Sequence, residues 1–208
     1  MRKRFLLIDD HSIVRSALKL VIRQKHRNAL IDECSHGAEA IKKAQVSAYD
    51  VIIVDLNIPQ TDAPKLIQQL QELRPTTKLL IFTILPEAIF ASRYFQLGVQ
   101  GFLNKDCDEA EVSLAIETVL SGRRYLSARL SSKLLASNFT IRFQNPMEAL
   151  SAREKQIVKL LVTGQTHGEI KRTLGIKHST VGTYKHRIFQ KLGVTNIVDL
   201  KEIANLYL

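Results

Sequence analysis

The sequence predicts two kinds of structure in one chain: an α/β front part with a doubly wound, five-stranded parallel sheet, and an all-α back part of four helices. Three observations carry this. Val51-Ile52-Ile53-Val54 is a continuous β-branched run ending at Asp55, as an inner parallel strand covered on both faces requires. Short apolar runs alternate with amphipathic stretches over residues 1–122, giving five strand–helix units with short links. Beyond residue 148 every apolar pattern has helical spacing.

The elements follow in order. Residues 3–8 form a strand that runs into Asp9-Asp10, and Ser12 is the expected N-cap of a helix to about Lys25, with Ile13, Leu18, Val21 and Ile22 apolar. A short strand at 29–33 and a helix at 38–46 follow Asn28 and Gly37. After the 50–54 strand and Pro59, Leu66, Ile67, Leu70 and Leu73 mark a helix closed by Pro75. Residues 78–82 form the fourth strand, ending at Thr83, and Pro86 starts a helix that stops at Gly98. Residues 99–103 form the fifth strand, ending in Asn104-Lys105. Asp106 or Asp108 caps a helix carrying Val112, Leu114, Ile116, Val119 and Leu120.

Composition narrows the class. The chain has 208 residues, enough for two modest domains, and ordinary apolar and charged fractions. Two cysteines, Cys34 and Cys107, show no paired spacing, so a reducing compartment is expected. Arg2-Lys3-Arg4 precedes only four apolar residues, too short for a signal-peptide core, and no run is long enough to span a membrane. A soluble, cytoplasmic protein with no membrane partner is the expectation. The net charge of +10 is uneven. Residues 1–122 carry 15 basic and 15 acidic side chains, residues 123–148 five and one, and residues 149–208 ten and four. A basic back part suits a polyanionic partner.

A carboxylate is costly inside a sheet, so Asp55 belongs just past the strand end, at the crevice where open α/β sheets bind ligands. Asp9-Asp10 reach the same edge from the first strand, Thr83 from the fourth and Lys105 from the fifth. Singly, each has a plain use: Asp as a turn or cap residue, Thr as a strand residue, Lys as a solvated charge. In this order and at these strand ends they form a constellation. His11, next to the acidic pair, has a catalytic or metal-binding reading, but a solvent-facing turn residue is the expectation.

This constellation, spanning about residues 1–122, resembles the receiver domain of two-component response regulators, which implies a flavodoxin-like sheet. The resemblance implies that Asp55 is the phosphoacceptor nucleophile. Asp10 and Asp55 would be direct Mg²⁺ ligands, with Asp9 acting through water and the Asn57 carbonyl completing the protein's share. It further implies that Lys105 pairs with the phosphoryl oxygens, that Thr83 donates its hydroxyl to them, and that Phe102 is the aromatic switch residue. The chain departs from the pattern at Ile58, where Met is usual, at Ala63, where Gly is usual, and at Ile84, where a small residue is usual. Ala63 is expected to remodel its turn and Ile84 to narrow access to Asp55.

Residues 123–147 read as a linker: Ser, Asn and Pro recur with little apolar periodicity, and a short helix at 128–135 is possible on composition. Its charge is best explained by solvation. In the back part, Ser151 and Glu154 form a capping box ahead of Ile157, Val158, Leu160, Leu161 and Val162, with Gly164 ending the helix. Thr166 or His167 starts a short helix ended by Gly175. Ser179 caps a third helix from Thr180 to Leu192, stopped by Gly193, and a fourth starts near Asn196. Two short helices joined by Leu174-Gly175-Ile176, the second basic, make a helix-turn-helix.

Leu150-Ser151, Arg153-Glu154, Gly164, Glu169-Ile170, Leu174, Thr180-Val181, Thr183, Lys191-Leu192-Gly193 and Asn196 resemble the DNA-binding domain of the NarL/FixJ (LuxR-type) regulators over about residues 148–208. The resemblance implies that the third helix lies in the major groove of double-stranded DNA. Gly182, Thr183 and His186 would face base edges, and Lys177, Lys185, Arg187 and Lys191 would contact phosphates. Gly182 stands where a basic residue is common and Lys171 where a small one packs. The expected function is therefore a response-regulator transcription factor, not an enzyme. A sensor histidine kinase would phosphorylate it on Asp55, and the active form would be a homodimer. Two alternatives stand beside it: a DNA binder indifferent to phosphorylation, and a Mg²⁺ phosphohydrolase. The second lacks the acid/base Asp two residues past Asp55, where Asn57 stands.

Overall fold

The structure is a computed structural model that describes residues 2–128, 131 and 145–207. The chain divides into two compact units, Met1–Ile141 and Arg142–Leu208.

In the first unit five strands, β1 Arg4–Ile8, β2 Leu30–Cys34, β3 Val51–Val54, β4 Lys78–Thr83 and β5 Gly101–Asn104, form one parallel sheet in the order β2-β1-β3-β4-β5. Five helices alternate with them: α1 Ser12–Lys25, α2 Gly37–Val46, α3 Ala63–Leu73, α4 Glu87–Gln96 and α5 Glu109–Leu120. This is the doubly wound α/β class expected of the pattern. Val51 to Val54 are all buried because helices cover both faces of the central strands. The order reverses at β1/β3, so the ends of these two strands open the crevice in which a ligand site is built. Register fixes who meets there: Ile8 pairs with Val54 and Thr83 with Asn104, placing Asp9, Asp55, Thr83 and Lys105 along one edge.

Several local expectations change. Ser12 is the first helical residue, not the cap; His11 occupies the cap position without a side-chain bond, its ring lying against Asp9 and Asp10 instead. Ile13 and Leu114 face solvent, since each lies off its helix's buried stripe of Leu18, Val21 and Ile22 or Val112, Ile116 and Val119. The turn before Ala63 is remodelled, as expected: Asp62 caps α3, Ala63 is its first, buried residue, and the positive φ falls on Gln60 at 58°. Asp108, rather than Asp106, caps α5. Beyond α5, Tyr125 pairs in parallel with Gly101, its N–H donating to the Gln100 carbonyl at 2.8 Å and its hydroxyl to Glu111 at 2.7 Å. Ser127 donates both its hydroxyl and its N–H to Glu87 at the start of α4. The start of the expected linker therefore packs on the sheet. Of the helix expected at 128–135, residues 129, 130 and 132–135 lie outside the described residues.

The second unit opens with a 3-10 turn, Pro146–Ala149, and continues with α6 Ala152–Val162, α7 His167–Leu174, α8 His178–Leu192 and α9 Ile197–Tyr207. Ser151–Glu154 and Thr166–Glu169 are complete capping boxes. Ile157, Val158, Ile170, Val181, Ile188 and Leu200 are each fully buried between the four helices. α7 ends on Gly175 at φ 64°, whose N–H donates to the Lys171 carbonyl; only a left-handed residue makes this sharp turn cheaply. α8 starts at His178, earlier than expected, and Lys177 occupies the cap position without a side-chain bond.

Candidate functional site

Three strand ends build an acidic site. Asp9 and Asp55 are 2% and 3% exposed, at the ends of β1 and β3, and Asp10 is half-buried beside them. The Lys105 ammonium, just past β5, lies 2.7 Å from both Asp9 Oδ2 and Asp55 Oδ2. Its backbone N–H donates to the Thr83 carbonyl at 2.8 Å, so β4 and β5 set its place. Burial works against the lysine charge, but hydrogen bonds to Asp55 and Asp9 outweigh it and hold the ammonium above the ordinary lysine range. The second Asp55 oxygen accepts the Asn57 N–H at 3.2 Å.

The charges do not close. Three carboxylates face one ammonium, leaving two negative charges in a poorly solvated crevice. Oxygens of Asp9, Asp10 and Asp55 lie within 4.8 Å of one another, and this donor set fits a hard divalent cation. The sequence expectation thus places Asp9, Asp10, Asp55, Asn57 and Lys105 together, as found. Thr83 is fully buried at the same edge, its hydroxyl oxygen accepting the Leu85 N–H at 3.4 Å. Phe102 is also fully buried, its ring 6.2 Å from Tyr94 at 44°. Ile84 is exposed.

Two residues belong to the site and were not read from sequence. Asn104 donates its amide to the carbonyls of Ile84 and Leu85 at 3.3 and 3.2 Å, holding the loop after Thr83 against β5. The signal was a carboxamide beside Lys105. His11 is exposed, as a turn residue would be, yet its Nδ1 lies 2.8 Å from Asp10 Oδ1 and 3.3 Å from Asp9 Oδ1. It joins the three aspartates within the same 4.8 Å.

In the second unit α8 carries the expected nucleic-acid face. Thr183, His186 and Arg187 are exposed on it, as is Lys177 at its start, while Val181, Ile188 and Leu192 face inward. A Cβ at Gly182 would meet nothing within 4 Å, so that position is an open notch in the face. Thr183 donates its hydroxyl to the Ser179 carbonyl at 3.1 Å, and the Lys185 ammonium lies 5.3 Å from the Phe189 ring centre. Lys191 is partnered within the unit: its ammonium is 2.7 Å from Glu154, which also accepts the Ser151 N–H. It ties α8 to α6 and offers phosphate less than Arg187 or Lys177 does. Lys171 is exposed, so its stem leaves the α7–α8 contact undisturbed.

A family model for the response regulator receiver domain matches residues 5–117, and one for the luxR family of bacterial regulatory proteins matches residues 148–204. The chain is 31% identical to the response regulator GacA of Pseudomonas viridiflava over 202 residues, covering 97% of this chain and 94% of that protein. It is 30% identical over 204 residues to BvgA of Bordetella pertussis, a virulence-factor transcription regulator, covering 98% and 97%. It is 28% identical over 200 residues to the response regulator UvrY of Escherichia coli, covering 96% and 92%. Among solved structures, one of two RcsB dimers bound to two parallel DNAs shares the fold over 100% of both chains, with TM-score 0.71 and 20% identity. No described helix is long and apolar enough to cross a membrane.

Proposed function

Because the chain belongs to the response regulators, with a receiver domain followed by a LuxR-type DNA-binding domain, we propose that phosphorylation of Asp55 by a sensor histidine kinase controls its binding to promoter DNA. In this reading residues 1–122 are the receiver, 123–147 the linker and 148–208 the DNA-binding domain. The two compact units and the matched spans support that division.

One observation carries the reading: a buried ammonium shared at 2.7 Å by two buried carboxylates of different strands. A cation so placed lies against the Asp55 carboxylate oxygen, where it can receive charge from an incoming phosphoryl group. Phosphoryl transfer then forms a P–O bond from an Asp55 oxygen and breaks the donor's P–N bond, whose electron pair stays on the imidazole of the kinase histidine. Lys105 turns from the carboxylates to the phosphoryl oxygens, and the buried Thr83 hydroxyl exchanges its Leu85 contact for one of them. Asp9, Asp10, Asp55 and the Asn57 carbonyl would hold Mg²⁺, which neutralises charge on the transferring group. Asn104 bridges the loop after Thr83 to β5, so a change at Thr83 reaches the outer surface of the receiver.

The back part would read DNA with α8. Thr183 and His186 would face bases and Lys177, Arg187 and Lys185 phosphates, with Gly182 letting the backbone approach closely. A homodimer suits a helix-turn-helix that reads two half-sites, and the RcsB dimers on DNA are such an arrangement in a protein of the same fold. Cytoplasmic location follows from a DNA target and a kinase donor. Incubation with a small acyl phosphate and Mg²⁺, followed by intact-mass analysis, should show one phosphoryl group on the wild type and none on Asp55→Asn. Equal labelling of both would refute Asp55 as acceptor.

A further inference from the structure

We infer that His11 is a further donor at the acidic site and biases it from Mg²⁺ toward first-row transition ions such as Co²⁺. This rests on the receiver reading of Asp9, Asp10 and Asp55 and adds a residue to it. The His11 Nδ1 is in the set of four donor atoms that lie within 4.8 Å of one another. Two donors on opposite sides of an octahedral ion stand about 4.2 Å apart, twice a ligand distance of about 2.1 Å. The cluster therefore needs to contract by only about half an ångström to close on one cation.

The imidazole is positioned from its own backbone. The His11 N–H donates to Asp9 Oδ1 at 2.8 Å, which sets the main chain of the bend after β1 so that the ring can reach Asp9 and Asp10. Arg15 donates to the Asp9 carbonyl at 2.5 Å and pairs with Glu33 at 3.1 Å, fixing that bend from the other side. The ring Nδ1 faces the acidic pair, 2.8 Å from Asp10 Oδ1 and 3.3 Å from Asp9 Oδ1.

Chemistry gives the direction. An all-oxygen set suits Mg²⁺, which keeps its waters and gains little from a nitrogen. Imidazole nitrogen adds affinity for first-row ions, and more for Co²⁺ than for Mn²⁺. The mixed set of three carboxylates and one imidazole should therefore hold Co²⁺ well above Mg²⁺, and His11 should account for much of the difference.

The test is calorimetric titration of the full chain with Mg²⁺ and with Co²⁺, comparing wild type, His11→Ala and His11→Asn. Asn preserves a residue suited to the cap of α1 and removes the imidazole; a metal-free melt checks each fold. The expected result is a loss of Co²⁺ affinity of about tenfold or more in both variants, with Mg²⁺ affinity changed less than about threefold. A blue shift and intensity change in the Co²⁺ visible spectrum of wild type relative to both variants should accompany it. Equal losses for the two ions, or none for Co²⁺, would overturn the role of His11. Absence of Mg²⁺ and Co²⁺ binding in the wild type would overturn the receiver reading itself.

Discussion

Replacing Lys105 with Met removes the only ammonium at the acidic site among the described residues and keeps most of the side-chain volume. Asp55, nearly fully buried, would lose the ammonium that faces it, and the equally buried Asp9 would keep only its contact with His11, both beside like-charged Asp10. Breaking a buried pair by removing one member costs about 3–5 kcal/mol. Lys105 is 13% exposed, so the lower end, about 3 kcal/mol, applies. At about 3 °C per kcal/mol for a domain of this size, the metal-free receiver should melt about 10 °C lower. The residual charge at the site rises from two negatives to three, so divalent cation should bind the variant more tightly. At a cation concentration 100 times Kd the recovery is about 2.7 kcal/mol, nearly the whole loss. Differential scanning calorimetry with and without Mg²⁺ measures both quantities. A metal-free loss below about 1 kcal/mol, or a Mg²⁺ response no larger than the wild type's, would refute the view that Lys105 is what neutralises this crevice.

Three further outcomes follow from particular residues. Burial raises the Glu154 carboxyl, but hydrogen bonds from Lys191 and Ser151 win and hold it below its ordinary 4.5. A depressed carboxyl stabilises the fold above its unfolded value and loses that contribution as pH falls through the folded value. Melts of the second unit should therefore lose stability below about pH 4.5 in wild type and less steeply in Glu154→Gln, which at neutral pH costs about 1–2 kcal/mol. Gln60→Gly relieves a left-handed residue worth about 1–2 kcal/mol and adds about 0.5–1 of chain entropy, so urea melts should show a gain of about 0.5 kcal/mol. Arg187→Ala should weaken binding to all DNA sequences and reduce the salt slope by about 1, whereas Thr183→Ala should weaken preferred sites only.

The parallel sheet was legible because apolar runs buried on both faces, each ending in a polar residue, have few other uses. Val51–Asp55 is the clearest, and Thr83 and Lys105 fell at the same edge once the runs were aligned. Helix starts with side-chain caps were partly legible: Ser151 and Thr166 each hold the expected backbone N–H, as does Asp108, one of two candidates, whereas the Asp62 cap was not read. Where no side chain caps, the boundary moved, at His11 and Lys177. That Ala63 would remodel the turn before α3 was legible from the missing Gly; that Gln60 would take the left-handed conformation and leave Ala63 buried was not. His11 was taken for a turn residue because sequence position says nothing of ring direction; only the fold shows its Nδ1 against Asp9 and Asp10. Lys191 resembled any other basic residue of α8 until its partner Glu154, 37 positions away, came beside it.

The central claim joins Asp55 to DNA. Binding of promoter fragments by wild type and Asp55→Asn, each in Mg²⁺ with and without beryllofluoride, tests it most directly. Affinity should rise with beryllofluoride for the wild type alone. Equal affinity in all four samples would contradict the switch while leaving the DNA-binding domain in place.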